Sequence, residues 1–248
     1  MVNKNGHDDS DSKVARFPDS RERAEFERRM KAANDRAPQQ ASSSEPILNL
    51  PPAVKALCLV LIVIQAIMTV LPDETIGMVF ENLAFYATRY SGDRPFGWQG
   101  AVAPFTYMLL HGGWLHIAIN VATLAAFGAG LEKTIGAKKF LLLFVATGVI
   151  GAFTHVLFYP GSDMPLVGAS GGISGLFGAV LMMAQQRGLM GGYRRLLPFV
   201  AVWIVISLFF GFFGMPGAEG PIAWTAHIGG FIAGLLLYVP LARSKILN

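Results

Sequence analysis

Six long apolar runs, separated by short polar breaks, dominate the chain after residue 50. Each run approaches the roughly 20 residues that a helix needs to cross about 30 Å of hydrocarbon. The runs cover residues 53–71, 113–131, 139–158, 168–185, 195–214 and 221–241. Each ends at proline, glycine or charged residues, which stop membrane helices. The pattern predicts an all-α, polytopic membrane protein with six transmembrane helices.

The first fifty residues have the opposite character. They are polar and rich in charge, and they contain no early apolar stretch of the kind that marks a signal peptide. Residues 19–33 could form a short charged helix, but without a continuous apolar face. We therefore expect residues 1–50 to be a disordered or loosely helical tail rather than a folded binding module, and residues 51–248 to form the membrane domain.

Basic residues alternate between the two sides of the predicted bundle. They precede span one, lie between spans two and three and between spans four and five, and follow span six. The boundary residues are Lys55, Lys133, Lys138, Lys139, Arg187, Arg194, Arg195, Arg243 and Lys245. The loops after spans three and five contain no lysine or arginine. The positive-inside rule then predicts that both termini are cytoplasmic, and a bacterial inner membrane is the expected location.

The long loop 72–112 lies between spans one and two, on the predicted outer side. It contains Arg89 and Arg94, but long loops follow the positive-inside rule only weakly. Its stretch from Ile76 to Tyr90 mixes aromatic and polar residues, which is typical of a helix lying in the membrane interface. We expect such a helix on the outer surface.

Composition agrees with the membrane assignment. The chain of 248 residues is 53% hydrophobic and 15% charged, whereas soluble domains carry about 25% charged residues. Its net charge of +4 is explained by the loop lysines and arginines, so we expect no nucleic-acid partner. Cys58 is the single cysteine, so an internal disulfide is excluded.

Few strongly polar side chains occur inside the spans, where each costs several kcal/mol unless it has a partner. They are Gln65, His116, Asn120, His155, Ser170, Ser174 and His227. No aspartate or glutamate lies deep in a span, which excludes a carboxylate proton relay. His155 is expected to be a structural histidine.

Four of these residues fall at one depth in the outer half of the bundle. At 1.5 Å per residue, His116 lies about 5 Å, Asn120 about 10 Å and His227 about 9 Å from the outer ends of their helices. Ser170 follows a glycine-rich segment that is too flexible for a first turn, so its helix begins below the surface. His116 and Asn120, four residues apart, share a helix face.

Small residues line the predicted faces of spans four and six. Ser174 and Gly178 follow Ser170, and Gly230 and Gly234 follow His227. Such faces let two helix backbones approach closely in a membrane. We therefore expect Ser170 to reach His227.

A serine beside a neutral histidine is a nucleophile with its general base. His116, Asn120 and the free N–H of Ser170 could donate hydrogen bonds to an oxyanion. Because no carboxylate is near His227, the site would be a Ser–His dyad. The glycine- and proline-rich loop 214–221 is expected to be a mobile cap that admits water.

Three segments carry a resemblance to a known family. They are HGGWLHIAIN (residues 111–120), GASGGISG (168–175) and AHIGGFIAG (226–234), with Glu132 in FGAGLEKTIG as a further match. Over roughly residues 53–242 the sequence resembles the rhomboid family of intramembrane serine proteases. The resemblance implies a rhomboid-like bundle with Ser170 as nucleophile, His227 as base, and His116 and Asn120 at the oxyanion hole. It also implies cleavage of transmembrane substrates within the lipid bilayer, near the membrane surface, without a metal or other cofactor.

Two positions depart from the pattern of that family. Gly97-Trp98-Gln99 stands where many members have a Trp-Arg pair, which leaves open how the outer loop is anchored. Ser174 stands where a tyrosine often stacks on the catalytic histidine. Trp224 or Phe231 is therefore expected to hold His227.

Three alternatives remain at the level of sequence. An inactive rhomboid-like protein that binds membrane clients should have lost the serine or the histidine, and this chain keeps both. A transporter or channel needs polar groups along its whole depth, whereas here they cluster in the outer half. A zinc site formed by His111, His116 and His227 lacks a nearby carboxylate and an HExxH pattern.

Overall fold

The computed structural model describes residues 19–36, 50–214 and 223–244, which fall into two compact units divided between residues 49 and 50. The first unit contains helix α1 (Ser20–Arg36). The Asp19 carboxylate caps it by accepting hydrogen bonds from the N–H groups of Arg21 and Glu22, at 2.8 and 2.9 Å. This is the short charged helix that the sequence allowed. The predicted disorder of the rest of the tail concerns residues outside the described ranges.

The second unit is helical throughout its described part. Its helices are α2 (Pro52–Val70), α3 (Asp73–Leu83), α4 (Thr88–Ser91), α5 (Gly97–Thr106), α6 (Trp114–Ile135), α7 (Ala137–Phe158), α8 (Ser170–Gln186), α9 (Leu197–Phe213) and α10 (Trp224–Arg243), with single 3-10 turns at Tyr107–Leu109 and Tyr193–Leu196. In residues 50–214 and 223–244, the β-pairing is confined to one isolated bridge between Phe85 and Leu166. The all-α prediction is confirmed.

The six predicted spans correspond to α2, α6, α7, α8, α9 and α10, with ends that differ by a few residues. Five of these helices, α9 together with its preceding 3-10 turn, are long and apolar enough to cross a membrane. The exception is α8, whose 17 residues extend only about 25 Å. It is enclosed by α6, α7 and α10, so protein rather than lipid surrounds it.

Backbone contact between α8 and α10 organises the bundle. A Cβ atom on Gly178 would collide with the carbonyl oxygen of Phe231, and one on Gly234 would collide with that of Gly175. The close approach predicted from the small residues is therefore present. On the neighbouring helix, a Cβ atom on Gly151 would lie 2.6 Å from the carbonyl oxygen of Ala226, so α7 also meets α10 at backbone distance.

The C-terminal end of α6 is joined to α2 by a buried carboxylate. Glu132 accepts hydrogen bonds from the N–H groups of Ala53 and Val54, at 3.0 and 2.7 Å. The first N–H groups of a helix have no partner within it, and a negative charge there is stabilised by the helix dipole. Glu132 thus caps α2 although it lies 79 positions from Ala53 in the sequence.

The single interfacial helix predicted for residues 76–90 is wrong. Two helices, α3 and α4, cover this stretch, and the chain between them is extended and buried. Phe85 and Leu166 exchange both backbone hydrogen bonds there, at 3.1 and 2.8 Å. A helix through residue 85 would have used those backbone groups itself, so pairing with a distant segment ends α3. The sequence also gave no indication of α5.

Candidate active site

A cavity of about 340 Å³ opens between the first turns of α6, α8 and α10 and the last turn of α7. Three residues predicted at the site, His116, Ser170 and His227, line it, and so does His155. Residues 162 and 164–167, just before α8, form one wall. Gly211 and Phe212 add the last turn of α9, so the structure brings residues from five helices to one concave surface. The cavity volume falls in the range of small ligand sites.

Ser170 and His227 form a direct hydrogen bond, with 2.8 Å between Ser170 Oγ and His227 Nε2. Ser170 is the first residue of α8, and His227 lies in the first turn of α10. The backbone contact of the two helices supports this geometry, since a Cβ atom on Gly230 would collide with the carbonyl oxygen of Gly171. A hydroxyl hydrogen-bonded to an imidazole nitrogen is the arrangement of an activated serine nucleophile.

His116 presents its second ring nitrogen to the same point. Its Nδ1 accepts a hydrogen bond from the N–H of Gly112, at 3.4 Å, which leaves Nε2 as the protonated nitrogen of a neutral ring. A Cβ atom placed on Gly168 would lie 2.9 Å from His116 Nε2 and 3.7 Å from Ser170 Oγ. Gly168 has a φ of +115°, so glycine is suited both to the conformation and to the close approach of His116.

Asn120 lies one turn along α6 from His116 and is buried. Its Nδ2 donates a hydrogen bond to the carbonyl oxygen of His116, at 3.1 Å. Asn120 is absent from the described residues that line the cavity. The structure thus separates the two residues expected to act together, because His116 faces the cavity and Asn120 contacts the backbone that carries it.

His155 has a partner on the neighbouring helix. Its Nδ1 is 2.9 Å from the hydroxyl oxygen of the buried Thr225, and its ring centroid is 5.4 Å from that of Tyr159. These contacts fit the structural role expected of it. Its position in the cavity wall was not expected, because sequence depth alone does not show which way a helix face points.

The aromatic neighbour of His227 differs from both expected residues. Trp224 packs against Phe158, with ring centroids 6.3 Å apart, and Phe231 packs against Phe177, at 5.7 Å. The ring found beside His227 is that of Trp203 on α9, at 6.5 Å and inclined by 44°. Helix α9 thus supplies the aromatic contact, and the sequence could not show which face of that uniformly apolar helix turns inward.

Tyr107 lines the cavity but was not indicated by the sequence pattern. It is buried, and its hydroxyl donates a hydrogen bond to the carbonyl oxygen of Gly148, at 2.7 Å. Its own carbonyl oxygen accepts a hydrogen bond from the N–H of Gly168, at 3.0 Å. Tyr107 therefore holds the glycine that precedes the Ser170 helix, and it lines the cavity. A lone tyrosine in a long loop gives no periodic signal that would have identified it.

Charged groups are sparse at this site. None of the cavity-lining residues within the described ranges is an aspartate or a glutamate. In residues 19–36, 50–214 and 223–244, no three His, Cys, Asp or Glu side chains are grouped so that they could hold a metal ion. The expected mobile cap, residues 214–221, lies outside the described ranges except for Gly214.

The chain is similar to known proteins of one family. A family model described as the Rhomboid domain matches residues 99–244. The rhomboid protease GluP of Bacillus subtilis is 35% identical over 140 residues, which are 56% of this chain and 26% of GluP. The putative rhomboid protease YdcA of the same species is 32% identical over 151 residues, which are 60% of this chain and 69% of YdcA. RHOMBOID-like protein 5 of Arabidopsis thaliana is 32% identical over 139 residues, 55% of this chain and 43% of that protein.

Proposed function

Because the chain belongs to the rhomboid family, we propose that it is an intramembrane serine endopeptidase. It cleaves transmembrane segments of other membrane proteins near the outer membrane face. The observation that carries this proposal is the 2.8 Å hydrogen bond between Ser170 Oγ and His227 Nε2. The names of GluP and YdcA, which describe rhomboid proteases, support the same activity.

The chemistry follows from the two side chains. Ser170 Oγ attacks the carbonyl carbon of the scissile peptide bond while its proton passes to His227 Nε2. The resulting imidazolium donates that proton to the leaving amine as the C–N bond breaks. Water, deprotonated by the now neutral His227, then hydrolyses the acyl-enzyme and regenerates Ser170. This scheme requires no acidic third residue besides Ser170 and His227.

The negative oxygen of the tetrahedral intermediate needs hydrogen-bond donors. His116 Nε2–H faces the cavity beside Gly168, and the N–H of Ser170 has no partner within α8 because Ser170 begins that helix. Asn120 has a second amide N–H besides the one that it gives to the His116 carbonyl. We assign the oxyanion hole to His116 and the Ser170 N–H, with Asn120 as a weaker contributor that also fixes His116.

The proposed orientation in the membrane follows from the positions of the lysine and arginine residues. The cavity lies at the ends where α6, α8 and α10 begin, whereas Lys133, Lys138 and Arg187 lie at or next to the opposite ends of α6, α7 and α8. The positive-inside rule therefore supports cytoplasmic termini and a cavity at the outer face of the membrane, which we propose to be a bacterial inner membrane. Reporter fusions at the loops after α7 and α9, compared with fusions at the loops after α6 and α8, would test this orientation.

Replacing Ser170 tests the activity. In proteoliposomes with a model transmembrane substrate, Ser170→Ala and His227→Ala are expected to lower cleavage by about 10⁴-fold or more. Ser174→Ala is the matched control, because Ser174 lies one turn further along α8 and its hydroxyl donates to the Ser170 carbonyl rather than to a histidine. Undiminished cleavage by the Ser170 variant would contradict the assignment.

A substrate-independent measurement completes the test. A fluorophosphonate probe reacts with an activated serine, so it is expected to label the wild-type chain and the Ser174→Ala variant but not Ser170→Ala. If the wild type bound membrane clients without cleaving them and took up no probe, an inactive client-binding rhomboid would be the better description.

A further inference from the structure

Arg94, in the outer segment between α4 and α5, is held between two carboxylates. Its Nε and Nη2 donate to the two carboxylate oxygens of Asp163, at 2.6 and 2.9 Å. Its Nη1 donates to both carboxylate oxygens of Glu81, at 2.8 Å each. Asp163 belongs to the segment between α7 and α8, and Glu81 belongs to α3. One guanidinium thus joins two separate parts of the outer surface by planar, two-pronged pairing.

Further contacts fix the two sides of this pair. The buried Arg89 donates to the carboxylate and the carbonyl oxygen of Glu81, at 2.7 and 2.8 Å. The hydroxyl of Thr88 donates to Asp163, at 3.0 Å. The Arg94 guanidinium also lies 4.2 Å from the centre of the Tyr86 ring, a distance typical of a cation–π contact. The outer loop is therefore anchored by arginine pairs rather than by a Trp-Arg motif.

Asp163 lies in the segment that forms one wall of the cavity, although its own side chain does not line it. Its neighbours Ser162 and Met164 line the cavity, and so do residues 165–167. The same segment is fastened at two later points, by the exchange of backbone hydrogen bonds between Leu166 and Phe85 and by the bond from Gly168 to Tyr107. Asp163 is the attachment furthest from Ser170, and it is the one that depends on charge.

We propose that Asp163 is a positioning residue for substrate binding, because its pairing with Arg94 holds residues 162–167 as a fixed wall of the cavity. This inference rests on the proposed protease function. The Ser170–His227 pair is held separately, by the backbone packing of α8 against α10. Loosening the wall is therefore expected to affect the binding of the substrate more than the chemical step.

The pair is accessible to solvent, which limits its strength. The side chain of Asp163 is 61% exposed and that of Arg94 is 25% exposed. Hydrogen bonds from Arg94 and Thr88 hold the pKa of the Asp163 carboxyl below its usual value, so it is charged at neutral pH. Exposed pairs are screened by salt. The effect of the pair on substrate binding should therefore be modest and should shrink as ionic strength rises.

The test compares two aspartates of the same outer surface. Asp163→Asn removes the charge and keeps the shape, whereas Asp93→Asn is the control, since Asp93 is exposed and accepts a hydrogen bond from Ser91. With a model transmembrane substrate in proteoliposomes, Asp163→Asn is expected to raise KM roughly threefold at low salt, with kcat little changed. The rise should be smaller at 0.5 M salt, and Asp163→Glu should restore most of the wild-type KM.

A merely structural role would have a different signature. Partial unfolding would lower the active fraction, and with it the apparent kcat, and would leave KM unchanged. That result, or a KM for Asp163→Asn equal to that of Asp93→Asn, would overturn the proposal.

Amide hydrogen exchange gives a measurement that does not require proteolysis. In wild type, the N–H groups of Leu166 and Gly168 donate to the outer loop, so they should exchange slowly. Asp163→Asn is expected to speed their exchange several-fold, whereas exchange in α7 stays the same. If the wild type showed this protection but no cleavage, the proposed function would fail while the positioning of the wall stood. Unchanged exchange in the variant would overturn the inference about the wall.

Discussion

His227 shows how a single residue can find its support on an unexpected helix. Ser174 lies on α8 at the position where a tyrosine could have stacked on the histidine, and its hydroxyl donates to the carbonyl oxygen of Ser170, at 2.7 Å. Trp203 approaches from α9 instead, and its own ring is packed against Phe177 with centroids 5.0 Å apart. The orientation of the proposed base therefore depends on a helix that contributes nothing else to the dyad.

Shortening Trp203 should release His227 from its orientation. We expect Trp203→Leu to lower kcat roughly three- to tenfold, the amount that an aromatic contact contributes, and Trp203→Phe to lower it less. Phe209→Leu is the control, because Phe209 is an exposed aromatic residue of the same helix that packs against Phe210 and Phe213. Equal kcat values for the Trp203 and Phe209 variants would remove Trp203 from this role.

Helix α2 is an element whose start depends on another helix. Pro51, the residue before α2, provides no side-chain cap. Instead, the carboxylate of Glu132 from α6 accepts hydrogen bonds from two of the first N–H groups of α2. The cap is buried, so these hydrogen bonds are poorly replaced by water. The acidic residue that the sequence placed at the end of span two thus stabilises the start of span one.

Removing that cap should weaken the bundle. Glu132→Ala is expected to lower the free energy of unfolding by about 1–3 kcal/mol, because it leaves buried N–H groups unpaired, and Glu132→Gln should cost less. The measurement is unfolding in mixed detergent micelles followed by circular dichroism. Glu74→Gln, at an exposed position in the first turn of α3, serves as the control and should be nearly neutral. Equal stabilities of the Glu132→Ala and Glu74→Gln variants would contradict the capping role.

At the scale of the whole molecule, the distance between α8 and α10 determines whether the dyad forms. Gly178 of α8 faces α10, and a Cβ atom on Gly230 or Gly234 would strike the backbone of α8. The hydrogen bond between Ser170 and His227 lies at the end of this contact. Stability and the geometry of the site therefore depend on the same helix interface.

Adding one methyl group at this interface should affect both properties. Gly234→Ala is expected to lower the free energy of unfolding by about 1–3 kcal/mol through overpacking, and to lower kcat as His227 moves away from Ser170. Gly130→Ala in α6 is the control, since its Cβ atom would make an ordinary contact, 3.7 Å from Met183 Cε. A Gly234→Ala variant with wild-type stability and kcat would show that the helices can separate without consequence.

The chain between α2 and α6, residues 71–113, marks the limit of what the linear pattern could predict. The six apolar runs could be located because each span needs about 20 apolar residues and each loop in water is polar, so the two kinds of segment alternate along the chain. The break between α3 and α4 was missed because it arises from the pairing of Phe85 with Leu166, 81 residues apart in sequence. Arg89 and Arg94 are exceptions to the positive-inside pattern of the sequence, and in the folded chain both are paired with carboxylates.

The sequence by itself determined the helical bundle and the depth of its polar residues, because burial in lipid requires long apolar helices and makes each exception visible. It thereby pointed to Ser170, His227 and His116 before any coordinates. Only the tertiary structure decided which side chains touch. Tertiary packing turned Trp203 rather than Trp224 toward His227 and joined Asp163 to Arg94, because such contacts depend on the packing of distant segments rather than on local composition. The side-chain conformation of Asn120 directed its amide to the His116 carbonyl oxygen rather than into the cavity.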